Sequence, residues 1–462
     1  MPYAGTWMAA ESLKFGTSGL RGLVSDLEGE AARRYMAAFL RHLESKGEVG
    51  SGRVFIGRDL RPSSPAITAD CAASVAAAGL EPVDCGVLPT PALALYATAG
   101  GGPAVMVTGS HIPIDRNGLK FYLPTGEIGK ADEVGIVAAL SGAKAVETGA
   151  VAVDEADAAA AHYLRCAVAG LRGVLARILD AFGAEVVPLG HVDHFIAVDT
   201  EALNDAIFAP LSGWLREFGL DAIVSADGDG DRPLVMDGEG EFVRGDVLGL
   251  LAAQFLGADA VVTPVTSNSA IERTGFFSKV WRTRVGSPYV IAGMEEALAS
   301  GAHRVVGFEA NGGTLLGGDV NLAGTEQLSA LRTRDAVLPI LAVLALTSTK
   351  GTSVAELIST LPLQSALSDR LEHVPQHRAA FFLKRMREDP GFADGLFAVQ
   401  GRIKRVSEID GLQFMLDGGD IVHYRPSGNA LELRCYVEGH TRGRAEEMLA
   451  WGLKMAEEMV RE

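Results

Sequence analysis

Three times along this chain a short apolar run stops abruptly in a loop built of glycine and chemically active side chains. Residues 104–108 run into Gly109, Ser110 and His111; residues 222–226 run into DGDGDR, Asp227 to Arg232; residues 304–306 run into GFEANGG, Gly307 to Gly313. Runs this short, rich in valine and alanine and lacking a helical period, read as buried strands. In open α/β sheets the ligand-binding loops gather at the carboxyl ends of strands, where the backbone is free to curl and side chains face a crevice. The recurrence therefore predicts related α/β domains turning their strand ends toward one central cleft.

The order of elements around the first loop supports this. A strand near 54–56 ends at Gly57, Arg58 and Asp59, a helix capped by Ser63 or Ser64 is stopped by Gly79, a strand follows near 82–85, and Thr90-Pro91 opens a second helix before the strand that reaches Ser110. Such β-α-β-α-β alternation calls for a mixed, largely parallel sheet. Asn117-Gly118 reads as a turn before a second apolar run at 119–123. An Ala/Val/Gly-rich stretch at 141–161 marks a boundary, and the next unit reads as a helix at 171–182, a strand at 185–189, a helix at 201–218 and the strand entering DGDGDR. A third unit starts near Val247 and ends in a helix near 335–346 and a linker near 347–352. From about Ala366 the pattern changes to short strands around a Gly418-Gly419 turn, closed by an amphipathic helix bearing Ala445, Met448, Leu449, Gly452, Met455, Ala456 and Met459. A chain of 462 residues needs three or four cores. The expected fold class is α/β, with three related α/β domains at 1–145, 146–246 and 247–365 and a C-terminal α+β domain at 366–462 around a central cleft.

A formal net charge of −17 argues against a nucleic-acid binder or a protein of anionic membranes, since both require a broad basic surface. Any anionic ligand must be held by local arginines and lysines. The four cysteines form no C-x-x-C pair and call for neither a disulfide framework nor a zinc site. With no secretory pattern at the start and no apolar run long enough to span a bilayer, a cytoplasmic location is expected.

The most specific chemical feature is the alternation of Asp227, Asp229 and Asp231 with glycine. Glycine allows the backbone to fold tightly enough for the three carboxylates to face one point, which suits a hard divalent cation. Arg232 and Gly238 stand where a calcium loop of the EF-hand type needs glycine and glutamate, so Mg²⁺, which shares its shell with phosphate, is the favoured ion. Arg21, in FGTSGLRG, adds a permanent charge to a loop that can offer backbone N–H groups to an anion. Glu309 lies on a glycine-flanked loop where a carboxylate can accept hydrogen bonds from neighbouring hydroxyls. Arg425, Ser427, Gly428 and Asn429, in RPSGNALELR, can clamp a dianion.

These motifs, in this order, resemble those of the α-D-phosphohexomutases, the phosphoglucomutase and phosphomannomutase family. TGSHIP, from Thr108, is similar to the family's active-serine loop T-[AG]-S-H-N-P with Ile112 for asparagine, and NGLK, from Asn117, to its N-G-[ILF]-K. FGTSGLRG resembles the N-terminal signature, FEANGG the sugar-reading loop G-E-x-S-G-H with Asn311 at the serine and Gly313 at the histidine, and RPSGNAL the phosphate loop R-P-S-G-T-E-P with Ala430 and Leu431 at its end. The resemblance implies a phosphoserine at Ser110, with Ser110, Asp227, Asp229 and Asp231 holding Mg²⁺, and Arg232 on the phosphate or the substrate. It also implies Lys120 as the proton shuttle once nearby cations lower its pKa, with His111 and Arg21 in support. Glu309 and Asn311 would read the sugar, and the Arg425 loop would hold the distal phosphate.

The implied reaction interconverts hexose 6-phosphate and hexose 1-phosphate through a hexose 1,6-bisphosphate, with mannose phosphate first and glucose phosphate second. Phosphoglucosamine mutase, a metal-dependent phosphatase and a non-catalytic sugar-phosphate-binding protein are the alternatives. The family's second domain opens with an additional strand and loop, which HYLRCAVAGLRG leaves no room for, so a reduced second domain is expected. Small-molecule hexose phosphates are the expected partners, and a monomer and a dimer remain equally open.

Overall fold

The computed structural model describes residues 9–16, 19–143, 150–165, 174–190, 194–198, 200, 208–322, 327–427 and 431–461. The first sheet has eight strands. Its path runs β1 (Lys14–Phe15), β2 (Leu20–Leu23), β6 (Arg116–Leu123), β5 (Ala104–Val107), β3 (Arg53–Arg58), β4 (Glu81–Val87), β8 (Val153–Asp154), with β7 (Gly126–Glu127) paired to β6. From β5 to β8 the pairs are parallel, and from β5 back to β1 they are antiparallel.

Alternation along β5 explains the layering. Val105 and Val107 face the helices Glu30–Lys46 and Ser64–Ala77, packing with Phe39 and Ile67, while Ala104 and Met106 face the helix Thr90–Ala99 and Leu93. Buried on both faces, β5 carries no polar side chain until the chain leaves the sheet at Thr108.

Asn117 and Gly118 do not form the expected turn. Both lie inside β6, between β2 and β5, because the Asn117 amide donates sideways to the hydroxyls of Ser63 and Ser64 (2.9 and 3.0 Å) instead of closing a hairpin. The connection from β5 to β6 is the segment 108–115, the serine loop itself.

Among the described residues the second unit contributes a two-stranded antiparallel sheet, β9 (Ala222–Ala226) with β10 (Pro233–Asp237), and the helices Val174–Ala181 and Leu211–Phe218. The expected strand at 185–189 is absent: these residues are irregular, none of them is buried, and they include Pro188, which has no N–H to give to a ladder. Part of each helix expected in this unit, 171–173 and 201–207, lies outside the described residues.

The third sheet runs β12 (Lys279–Thr283), β11 (Ala260–Pro264), β13 (Val305–Phe308), β14 (Thr314–Leu316), β15 (Leu331–Asp335), again parallel on one side and antiparallel on the other. The helix after it spans Val337–Lys350, running on through most of the expected linker. A single core joins this unit to the first, with Phe55, Leu93 and Met106 continuous with Val247, Leu251, Phe308 and Ile340. Each such fully buried side chain contributes about 1.5–3 kcal/mol, so the loops of the two units are held in fixed relation.

The C-terminal unit is an antiparallel sheet ordered β16 (Ser365–Glu372), β20 (Glu432–Gly439), β19 (Ile421–Pro426), β18 (Leu412–Leu416), β17 (Ile403–Ser407), covered by the helices Gln376–Glu388 and Arg442–Arg461. It docks on the third unit through Glu438, which accepts from the Ser269 amide, and Gln413, which donates to the Val265 carbonyl. Among the described residues no helix is long and apolar enough to cross a membrane.

Candidate active site

The end of β5 is built to present one hydroxyl. Thr108 Oγ1 accepts from the Ser110 amide (2.8 Å) and donates to Asp59 Oδ2 (2.8 Å), turning the backbone so sharply that Ser110 adopts φ +52°, a left-handed conformation few non-glycine residues take. Arg61 holds that turn. Its buried guanidinium donates to the carbonyls of Ser110 (2.8 Å), Ile112 (2.6 Å), Pro113 (2.7 Å) and Arg116 (2.9 Å), and its Nε to Asp59 Oδ2 (3.1 Å). The isoleucine at 112 therefore leaves the backbone tie of its loop intact. His111 Nδ1 lies 3.3 Å from Ser110 Oγ, and burial together with Arg232 and Arg21 pushes the imidazole down to about 2, so it is neutral.

The acidic turn joins β9 to β10 and meets the serine directly. Ser110 Oγ donates to Asp227 Oδ2 at 2.8 Å across 117 positions of sequence. Asp227 Oδ1 accepts the amides of Asp231 and Arg232 (3.1 Å each), which closes the turn. A Cβ on Gly228 would lie 2.4 Å from the Phe195 ring and 3.1 Å from the Ser110 carbonyl, so only glycine permits this approach. Thr90, opening the helix expected at Thr90-Pro91, donates from Oγ1 to Asp229 Oδ2 (2.7 Å).

Asp227, Asp229 and Asp231 are buried and each offers an oxygen within 4.8 Å of the others'. Asp229 Oδ1 and Asp231 Oδ1 are buried with no hydrogen-bond partner. Buried carboxylate oxygens left without donors are costly, and a hard cation satisfies them, so the donor set fits a hard divalent cation.

Lys120 Nζ bridges Asp229 Oδ2 (2.5 Å) and Asp231 Oδ2 (2.6 Å). Burial works against its charge, but Asp229 and Asp231 outweigh burial and hold the ammonium above its usual value. The expected depression of the Lys120 pKa is thus reversed, because its nearest neighbours are carboxylates and not the cations foreseen. Burial and the neighbouring Asp229 and Asp231 raise Asp227 well above the carboxylate range; for Asp231, burial is overcome by Arg334, Lys120 and Arg232, and the group is lowered.

Beside these groups opens a cavity of about 1140 Å³ lined by Arg21, His111, Arg232, Glu309, Asn311, Arg334, Arg425 and Ser427, and by Arg370, His373 and Arg434 of the C-terminal unit. Seven arginines line it against four carboxylates, a local excess of positive charge in a protein of net charge −17. Arg21 Nη2 is buried without a hydrogen-bond partner, and burial plus the nearby Arg232 lower its guanidinium to about 10. Arg425 is oriented by Asp410 (2.6 Å). Gly428, Asn429 and Ala430 lie outside the described residues.

Glu309 ends β13 in a tight turn, its amide donating to the Gly313 carbonyl (3.2 Å), while Asn311 Oδ1 accepts the Gly313 amide (3.0 Å). One oxygen of Glu309 is held by Arg334. Glu309 and Arg425 line this hollow; Ser110, Lys120 and the triad are buried beside it, joined to it through His111, next to Ser110, and Arg334, which links Glu309 to Asp231. Sequence reasoning passed over two arginines that organise it, Arg61 and Arg334. Arg61 sits two residues past the noted Gly57-Arg58-Asp59 strand end and could have been suspected; Arg334 lies in LRTRD, where nothing local distinguishes it.

Residues 12–147 match the model of phosphoglucomutase/phosphomannomutase α/β/α domain I, and residues 244–364 that of domain III. The chain is 46% identical to a phosphomannomutase of Sinorhizobium fredii over 95% of this chain and 98% of the relative. It is 39% identical to a phosphomannomutase of Salmonella muenchen over 93% and 92%. A crystal structure of a phosphoglucomutase/phosphomannomutase family protein from Burkholderia thailandensis shares the fold with a TM-score of 0.75 at 20% identity, covering 98% of each chain.

Proposed function

Since the chain belongs to the α-D-phosphohexomutase family and is a phosphohexomutase, we propose that Ser110 is its phosphoryl carrier, that mannose phosphate is its first substrate and that Mg²⁺ is its metal. The observation that carries this reading is the 2.8 Å bond from Ser110 Oγ to Asp227, in a buried triad that Arg334 joins to Glu309 at the edge of the cavity. Mannose is preferred over glucosamine because the relatives at 46% and 39% identity are phosphomannomutases.

In the proposed cycle the bond between phosphorus and Ser110 Oγ breaks as a bond forms to the free C1 or C6 hydroxyl oxygen, giving hexose 1,6-bisphosphate. The sugar turns over, and the other phosphoryl group returns to Ser110. Mg²⁺ held by Asp227, Asp229 and Asp231 would neutralise charge on the phosphoryl oxygens, the main demand of this chemistry. Lys120 moves the proton: as the ammonium seen here it protonates the sugar oxygen that loses its phosphoryl group, and as the amine it takes the hydroxyl proton in the opposite direction. Arg425 and Ser427 hold whichever phosphate is distal. Glu309 accepts from sugar hydroxyls in either orientation, and the C-terminal unit bordering the cavity excludes water that would hydrolyse the phosphoserine.

Coupled mutase assays on mannose, glucose and glucosamine 1-phosphates, with Mg²⁺ and hexose 1,6-bisphosphate, test this. Turnover fastest with mannose and abolished in Ser110→Ala is expected. Full activity of Ser110→Ala removes the serine from the mechanism, steady phosphate release selects a phosphatase, and tight binding without turnover selects a binding protein.

A further inference from the structure

Arg334 lines the cavity, yet the proposed cycle gives it no task. It lies on β15, only 2% exposed. Nη1 donates to Glu309 Oε2 (2.5 Å), and Nη2 and Nε donate to Asp231 Oδ2 (2.6 and 3.2 Å). A guanidinium carries five N–H bonds, and these three leave one hydrogen on each terminal nitrogen for a further acceptor. A buried arginine required only for charge balance is best satisfied by one carboxylate gripped by two parallel bonds. Arg334 instead spans two carboxylates that belong to different tasks, one in the metal-binding triad and one in the sugar loop.

The path of its side chain is kept clear by one residue. A Cβ at Gly313 would lie 2.6 Å from Arg334 Cδ, 2.8 Å from its Cβ and 2.7 Å from the Asp231 carbonyl oxygen. No side chain at 313 coexists with this placement of Arg334. Gly313 is also the position where the family's sugar loop carries a histidine, so the space and polarity given up there are taken by a guanidinium arriving from another strand.

We propose that Arg334 is a substrate-contact residue that reads the sugar together with Glu309. A sugar hydroxyl donates a hydrogen bond to Glu309, and the oxygen of that hydroxyl, or of its neighbour on the ring, accepts a hydrogen bond from Arg334. A carboxylate alone tests for a donor; the pair tests for a hydroxyl as donor and acceptor at once. Because the same guanidinium grips Asp231, it also sets how far the sugar stands from the phosphoryl centre. The inference rests on Glu309 being the sugar-binding carboxylate.

The test compares wild type, Arg334→Lys, Arg334→Met and Glu309→Gln on mannose 1-phosphate and its 2-, 3- and 4-deoxy analogues, reading kcat and KM separately. In wild type one analogue should lose about 10- to 100-fold in kcat/KM, the range for a hydrogen bond to a charged group. Arg334→Lys keeps a cation against Asp231 but loses the fork, so it should lose activity on the parent sugar and show no additional penalty on that analogue. Glu309→Gln should flatten the same penalty. If Arg334→Lys keeps the full wild-type penalty while Glu309→Gln removes it, Arg334 does not touch the sugar and the reading of Glu309 stands. If neither variant changes any penalty, the sugar is read elsewhere and both readings fall. Arg334→Met takes the cation from Glu309 and leaves Asp231 to Lys120 and Arg232; should the substituted proteins not fold, the wild-type series still decides, since the absence of any deoxy penalty beyond about 3-fold overturns the proposal.

Discussion

Arg61→Lys isolates what holds the serine loop in place. The arginine makes four bonds of 2.6–2.9 Å to carbonyls of residues 110–116 and one to Asp59. A lysine ammonium has three hydrogens on one atom, so at least two of these five contacts are lost. At about 1.5–3 kcal/mol for each hydrogen bond to a charged group, two lost contacts withdraw roughly 3–6 kcal/mol from this one loop. The left-handed conformation of Ser110 costs only about 1–2 kcal/mol to maintain, so the loop relaxes and the serine oxygen leaves Asp227. A displacement of about 1 Å at a reacting atom lowers the rate about 100-fold. The groups proposed to bind the sugar phosphate, Glu309 and Arg425, sit on other elements and are untouched. The expected result in the coupled mutase assay is a fall in kcat of about 100-fold with KM changed by less than about 3-fold. A kcat above about a third of wild type would refute the claim that Arg61 positions the serine.

Lys120→Met removes the cation now lodged between Asp229 and Asp231. Two unit charges about 4 Å apart interact by about 4 kcal/mol at an effective dielectric of about 20, so an ammonium among the same carboxylates opposes a divalent cation, and Mn²⁺ should bind at least about 10-fold tighter to the variant while turnover falls about 10²–10⁴-fold. Equal or weaker binding in an electron paramagnetic resonance titration contradicts the arrangement. In the C-terminal unit, burial pushes His423 down to about 4 from 6.5, despite its contact with the Asp410 carbonyl. A depressed folded value means that its contribution to stability is present above pH 6.5 and is lost as the pH falls toward 4, amounting to about 2 kcal/mol at pH 5. Urea unfolding followed by tryptophan fluorescence should show a steeper acid loss in wild type than in His423→Asn; parallel curves would sink this account.

Local pattern determined a good deal. Apolar runs ending in glycine identified β5, β9 and β13 and the loops they feed, and the alternation of Asp227, Asp229 and Asp231 with glycine already carried a convergent carboxylate set. These are properties of a few consecutive residues, because strand period and turn chemistry act over that range. Other properties were decided only when distant segments met. Arg61 satisfies carbonyls 49–55 positions away, Arg334 grips a carboxylate 103 positions away, and β15, which carries it, has no distinctive pattern of its own. Asn117-Gly118 has the composition of a turn and became strand because two neighbouring strands and two serine hydroxyls claimed its polar groups. The charge on Lys120 belongs to the same class: burial and the partners brought to it by folding set its protonation, and neither is written in the residues beside it.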